Sequence, residues 1–434
     1  MQSGRMMVMA AVALATATDL VAQSAAPRGA RGPRGEAAVR SDLSVLAADS
    51  MGGRFTGTAA EAAAARYLSR RLAEVGAKPG LPGWLQEFSI AADVPGVKDI
   101  PEASRPSRGT NVVATIAGRD PAVRDEFVVV GAHYDHLGHG EARSSALGEP
   151  GQVFNGADDN ASGTVALLEI ARLLAAAPPR RSVVVIAFSG EELGLLGSAA
   201  YVRNPVVPLD RTVGMVNLDM VGRLRNDRLL VFGSETATEF PALLDSLNRT
   251  ARFDLHYSGD GFGRSDHQSF YLAKKPVLHL FTDLHEDYHR PGDDWDKINV
   301  PGIVRVAEFG AAAVRAMADR TTPLSFVFKA PPPPAPVTAG QPAAGGRASL
   351  GTIPDMASGG PGVRISGVSP GSAGEKAGLV EGDVIIRIGT FEITDLQAMS
   401  DALRAHRPGD TVMVTYRRGT ATDSVSVVLG RRGG

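Results

Sequence analysis

A chain of 434 residues is long enough for two or three domains of roughly 150 residues each. Its 44% hydrophobic and 21% charged content describes a globular protein, and a formal net charge of -2 leaves no basic surplus for nucleic acid or anionic lipid. Without cysteine, disulfides, thiolate metal sites, a cysteine nucleophile and lipidation through an N-terminal thiol are excluded, so any metal must rest on His, Asp and Glu.

Residues 1–25 hold one basic residue, Arg5, an apolar run from Met6 to Ala17, and the small-residue stretch Ala22-Gln23-Ser24. The run is shorter than the ~20 residues a membrane span needs. It reads as a signal peptide rather than an uncleaved anchor. The mature chain is therefore expected to be exported, periplasmic or extracellular, with no membrane span after cleavage.

Thr58-x-x-Glu61 is a capping box opening a helix whose apolar face is Ala64, Tyr67, Leu68, Leu72 and Val75, closed by Gly76. Phe127–Val130 and Val183–Phe188 are unbroken apolar runs, as expected of strands covered on both faces, with a helix over Ser162–Ala177 between them. Further strands are predicted at Met215–Leu218, Leu229–Phe232 and Val277–Phe281, and a closing helix at Ile303–Met317. This alternation predicts an α/β fold over residues 36–322: a three-layer αβα sandwich with a mixed, largely parallel sheet. Residues 329–347 are Pro-rich and then Gly-rich, a linker of mixed stiffness. Residues 348–431 follow as a small α+β unit, with strands Val363–Val368, Val384–Ile388 and Val412–Tyr416 and a helix near Leu396–Ala405.

Four motifs sit just beyond strands. They are His133-Tyr134-Asp135, the Gly156–Gly163 stretch G-A-D-D-N-A-S-G, Glu191-Glu192 after Ser189-Gly190, and Asp219 after Asn217-Leu218. A fifth, Tyr288-His289-Arg290-Pro291-Gly292-Asp293, lies in a later loop. Each alone has a plain explanation: a surface histidine beside a carboxylate, a helix cap, a solvated helix start, a turn. Together, at strand ends that converge on one crevice of an open sheet, they predict a histidine–carboxylate centre for zinc or another first-row divalent ion.

The ordered set of motifs resembles metallopeptidase family 28 over roughly residues 41–320, a family of bacterial leucyl aminopeptidases, glutamate carboxypeptidases and glutaminyl cyclases. The resemblance implies two zinc ions bridged by Asp159, one also held by His133 and Asp219 and the other by Glu192 and His289. It implies Glu191 as the general base toward a zinc-activated water, Asp135 as the carboxylate orienting His133, and a cis peptide after Asp159. The activity so implied is removal of N-terminal residues from peptides. One departure stands out: where some relatives carry an oxyanion-stabilising tyrosine before a Ser-Asp-His motif, Phe262 precedes Ser265-Asp266-His267. The zincs alone, Arg264 or another donor would have to serve. His136 and His139 read as supporting or solvated loop histidines, His279 as a sheet residue, and His285 as the competitor of His289.

Gly371–Leu379 leading into Gly382–Ile385 resembles the PDZ domain of bacterial periplasmic serine proteases, over about residues 348–429. That resemblance implies that the Ser349-Leu350-Gly351-Thr352 loop binds a peptide carboxylate beside an open strand edge, with a peptide C-terminus or partner protein as ligand. A small packing domain without a ligand is the other reading. For the whole chain the alternatives are a carboxypeptidase, needing Arg223 or Arg264 for an α-carboxylate, a glutaminyl cyclase with a single zinc, and a non-catalytic peptide-binding protein on a peptidase scaffold.

Overall fold

The computed structural model describes residues 33–431 apart from 95, 99, 142–145, 149–150, 264, 330–347, 356–360 and 395. The expected signal peptide, Arg264 and all but the first residue of the expected linker lie outside the described residues. Among the described residues no helix is long and apolar enough to cross a membrane.

The larger unit is built on a nine-stranded sheet: β1 (Lys78–Pro79), β2 (Leu85–Ser89), β3 (Arg108–Ile116), β4 (Phe127–His133), β5 (Ser182–Phe188), β6 (Thr212–Leu218), β7 (Arg228–Phe232), β8 (Asp254–Ser258) and β9 (Val277–Phe281). The order is β1-β3-β5-β4-β6-β9-β7-β8, with β2 also on β3. The four adjacent strands β5, β4, β6 and β9 run parallel, while β3 on β5 and β7 on β9 are antiparallel.

Side chains leave the central strands alternately on two faces. Val128, Val130, Val183, Val185 and Ala187 face one core; Val129, Val184, Ile186 and Phe188 face the other. The first core is covered by α1 (Pro33–Leu46), α2 (Ala59–Glu74), α3 (Gly163–Ala176), α5 (Phe240–Ala251) and α7 (Val300–Ala318). The second is covered by α4 (Leu196–Arg203) and α6 (His267–Leu272), through Tyr201, Phe270 and Tyr271. Each of these buried valines is worth about 1.5–3 kcal/mol relative to exposure, which explains why the sequence spends unbroken apolar runs here.

Thr58 caps α2 as expected, its hydroxyl oxygen accepting from Glu61 N at 3.3 Å. Glu61 reaches back to Gly57 N at 2.8 Å, one residue earlier than a capping box requires. Its other oxygen accepts from Thr110 N and from the Ser189 hydroxyl, so this buried carboxylate ties α2 to β3 and to the turn before Glu191.

The smaller unit is an α+β domain. Its sheet runs β11 (Thr352–Pro354), β12 (Val363–Val368), β13 (Val384–Ile388), β15 (Thr411–Arg418), β16 (Ala421–Val428), with β14 (Phe391–Glu392) on β13. A second pairing joins β10 (Ala348–Ser349) to β17 (Gly430–Arg431). Helices α8 (Ala373–Lys376) and α9 (Leu396–Arg404) accompany these sheets, and Leu350, Ile365, Ile385, Ile388, Ala402 and Val414 are fully buried in the domain's own core.

Candidate metal centre

The parallel quartet brings the donors together. His133 ends β4, Glu191 and Glu192 follow β5, Asp219 follows β6, and the loop after β9 carries His289. Because these strands are neighbours pointing the same way, their carboxyl ends open on one edge of the sheet. Asp159 enters from the turn 157–162 that starts α3, and the Asp159–Asn160 peptide is cis. Gly156 opens this turn at φ 53°; a Cβ there would lie 2.1 Å from Asp159 O and 2.4 Å from His136 Cδ2, so only glycine fits.

Asp159 faces two histidines with different oxygens. Its Oδ1 is 3.4 Å from His133 Nε2, and its Oδ2 is 3.1 Å from His289 Nε2. His133 Nε2 is also 3.3 Å from Asp219 Oδ1, and His289 Nε2 is 3.2 Å from Glu192 Oε2. Donors held ~2.0–2.2 Å from one tetrahedral zinc stand about 3.2–3.6 Å apart, so both sets fit zinc in spacing and in donor type. Glu191 Oε2 sits 4.0 Å from His133 Nε2, set back from these pairs.

The charges respond to this crowding. Burial pushes the Glu191 carboxyl well above its ordinary range, His133 only partly offsetting it while Glu192 and Asp219 add to it. Burial would also raise Glu192, but His289 and His136 hold it well below the usual range. Burial disfavours a charged His289, yet Glu192 and Asp159 outweigh it and lift the ring to about 10 in the metal-free cluster. Asp135 is pushed up to about 7 by burial, against the pull of His133.

Asp135 differs from expectation in its contacts. His133 Nδ1 lies 3.2 Å from the Asp135 backbone carbonyl, while the carboxylate Oδ1 is 3.7 Å away, beyond hydrogen-bond length. The carboxylate is drawn elsewhere: it accepts from the Thr56 hydroxyl at 2.9 Å and from Glu191 N at 3.2 Å. It therefore anchors the backbone of Glu191 as well as standing beside His133.

Two supports were not legible in the sequence. Arg54 is fully buried and donates to the carbonyls of Tyr134 (2.7 Å), Leu46 (2.6 Å), Asn155 (2.7 Å) and Gly156 (2.9 Å). It thereby clamps the loop after β4 to the Asp159 turn. Burial lowers its guanidinium to about 10, opposed by Asp135, Asp159, Asp293 and Glu192. Asp293, seen in the sequence only as part of a motif, accepts from Asp158 N at 2.8 Å and Asp159 N at 3.0 Å. Carbonyl and amide partners leave no trace in side-chain spacing.

The other candidates fall into place. His285 Nε2 is 3.2 Å from Asp158 Oδ2, so His289 and not His285 faces Asp159 and Glu192. His279 meets Asn217 at 3.1 Å and stacks on His267, the ring centroids 4.4 Å apart. His139 is exposed, whereas His136 is buried against Glu192. Arg223 is committed to Asp287 at 2.9 Å and Asp293 at 3.3 Å. Phe262 packs on Tyr271, with centroids 5.1 Å apart. The phenol at the cluster belongs instead to Tyr288, stacked on His289 with centroids 3.8 Å apart and kept protonated by burial and the surrounding carboxylates.

In the smaller domain, Gly351 lies at φ 70° and a Cβ there would meet the Ser372 Cβ at 2.2 Å, so the expected carboxylate loop requires glycine. Gly351 N donates to the Ser349 hydroxyl at 3.0 Å, and Leu350 is buried in the core. Thr352 begins β11, an edge strand on which Pro354 removes one backbone donor.

Fold and donor cluster together define an α/β domain with a histidine–carboxylate metal centre at the carboxyl edge of its parallel strands. Residues 111–314 match the family model described as peptidase family M28, and residues 348–429 match that of the PDZ domain. The chain thus carries an M28 peptidase domain followed by a PDZ domain. A probable zinc metalloprotease of Leptosphaeria maculans is 39% identical over 132 residues, covering 30% of this chain and 28% of that protein. Aminopeptidase YwaD of Bacillus subtilis is 29% identical over 199 residues, covering 44% and 40%. This chain therefore spans less than half the length of either relative. Among solved structures, the zinc aminopeptidase BSAP from Bacillus subtilis superposes with a TM-score of 0.52 at 20% identity, covering 68% of this chain and 98% of that one. That likeness is one of fold.

Proposed function

We propose that the chain is an exported metallo-aminopeptidase that uses two zinc ions to hydrolyse the N-terminal peptide bond of peptides. The observation that carries this reading is the division of Asp159: one oxygen faces the His133–Asp219 pair and the other the His289–Glu192 pair. Such a split carboxylate suits a bridge between two ions. Export rests on the residue pattern of positions 1–25 alone. The names of the zinc metalloprotease and aminopeptidase relatives support the reaction class.

His133, Asp159, Asp219, Glu192 and His289 would hold the ions. Bound zinc supplies Lewis acidity, which brings the pKa of water from ~15.7 toward ~7 and polarises a carbonyl. Glu191 does the proton work: set back 4.0 Å from His133 Nε2, it can take a proton from the attacking water and return it to the leaving amine. Asp135 holds the Glu191 backbone in place for that transfer. Tyr288 offers a neutral O–H donor beside the cluster, in the role Phe262 cannot fill. Arg223, already paired with two carboxylates, is not free to receive a substrate α-carboxylate, which removes one of the two arginines on which the carboxypeptidase reading drew. The PDZ domain would bring in a peptide C-terminus or a partner protein through the loop at Ser349–Thr352.

The test is mass spectrometry of zinc-loaded protein incubated with one mixed-sequence peptide, its N-terminus free or acetylated. Stepwise shortening of the free form alone from its N-terminus is the expected result. Shortening of the acetylated form from its C-terminus, or no cleavage of either form, refutes the aminopeptidase reading.

A further inference from the structure

His136 follows the first motif by one residue and has no part in the chemistry above. Its ring is fully buried. Nδ1 meets Glu192 Oε1 at 2.6 Å, whereas Nε2 has no hydrogen-bond partner among the described residues. A carboxylate only accepts, so Nδ1 carries the proton in this contact. Burying an imidazole with one nitrogen unpaired is costly, and the bond to Glu192 is the polar contact the side chain gains in return. The ring packs over Gly156, so closely that a Cβ there would come within 2.4 Å of its Cδ2, and the His289 ring crosses it edge-on at 5.8 Å between centroids. Nδ1 also stands 3.9 Å from Asp159 Oδ1, outside bonding distance.

The two oxygens of Glu192 are thereby given different work. Oε1 is occupied by His136, and Oε2 is turned toward His289 Nε2 at 3.2 Å. We propose that His136 is a positioning residue that ties down Glu192 Oε1, so that Glu192 offers the second metal position a single oxygen in a fixed direction. This inference rests on the two-ion reading. With the donor removed, Glu192 is free to rotate or to offer both oxygens, and the second ion binds less tightly. Groups that orient a metal ligand in this way typically contribute 10–100-fold in metal affinity.

Two substitutions separate the donor from the volume of the ring. Asparagine places its amide nitrogen near the position of imidazole Nδ1, so His136→Asn keeps a donor for Glu192; His136→Leu fills space without one. The measurement is zinc stoichiometry, with stepwise dissociation constants from chelator competition and the melting temperature of the metal-free proteins. Wild type is expected to bind two zinc ions. H136L should lose roughly 10–100-fold at one site and leave the other unchanged, while H136N stays within about threefold of wild type. Two ions bound by H136L as tightly as by wild type would overturn the inference. So would equal loss in both variants, because packing rather than the donor would then be responsible. A wild type that binds one ion or none refutes the two-ion reading itself, and that failure is visible before any variant is made.

Discussion

Replacing Arg54 by methionine removes a buried charge while keeping much of its volume. Three carbonyls, of Leu46, Tyr134 and Asn155, then lose their donor in the interior, while that of Gly156 keeps the Ala161 amide at 3.1 Å. At about 1–3 kcal/mol for each buried group left unsatisfied, the loss is roughly 3–9 kcal/mol. A typical domain has only about 5–15 kcal/mol in all. The metal-free form suffers most, because Asp135, Asp159, Asp293 and Glu192 also lose their shared buried cation. Zinc restores positive charge among those carboxylates and should recover part of the deficit. Denaturant unfolding with zinc and with chelator reads both effects. The expected result is a variant that is unfolded, or weaker by at least ~3 kcal/mol, in chelator and visibly rescued by zinc. Arg54→Lys keeps the charge but not the planar fork, and should fall between the two. Stability of Arg54→Met within ~1 kcal/mol of wild type in chelator, the scale of an ordinary substitution, would refute the clamp.

Other expectations follow from the same geometry. Glu191→Gln should keep its zinc content yet lose kcat by about 10²–10⁴-fold, since the proton acceptor goes while the donor pairs remain; steady-state kinetics alongside metal analysis checks this, and unchanged turnover removes Glu191 from the reaction. Asp293→Ala leaves the amides of Asp158 and Asp159 without their acceptor, costing roughly 2–6 kcal/mol and loosening the Asp159 turn, so chemical denaturation and zinc content should fall together. His289 has a folded value of about 10 in the metal-free protein against about 6.5 unfolded. Its contribution to metal-free stability is therefore complete below about pH 6.5 and lost as pH rises through about 10. Zinc must displace that proton, so binding enthalpies at pH 8 should vary with the ionisation heat of the buffer; no variation would mean the ring is already neutral.

How far the sequence reaches depends on what each residue touches. The strands β4, β5 and β9 were legible because burial on both faces forces a continuous apolar run. The donors were legible because a metal centre in a parallel sheet draws on strand ends. By contrast β2, with its half-exposed Leu-Gln-Glu-Phe-Ser, carries no such run, and α1 begins inside a Gly/Pro/Arg-rich stretch that reads as unstructured. Asp135 was expected to orient His133 through its carboxylate, but that carboxylate answers to Thr56 and the Glu191 amide, partners that no local spacing announces. Phe262 pointed to a missing phenol, whereas Tyr288, beside a motif already in view, stands at the cluster.

Asp293 reaches back 135 residues to hold the amide of Asp158, and the donors around it are spread along the chain from His133 to His289. A polypeptide still leaving the ribosome has β4 and the Asp159 turn long before it has His289. The position at His289 and Glu192 therefore would have no complete seat for an ion until nearly the whole domain has been made and folded. Metal uptake at that position would then be a closing event, and its zinc content a measure of how many molecules in a preparation have finished folding.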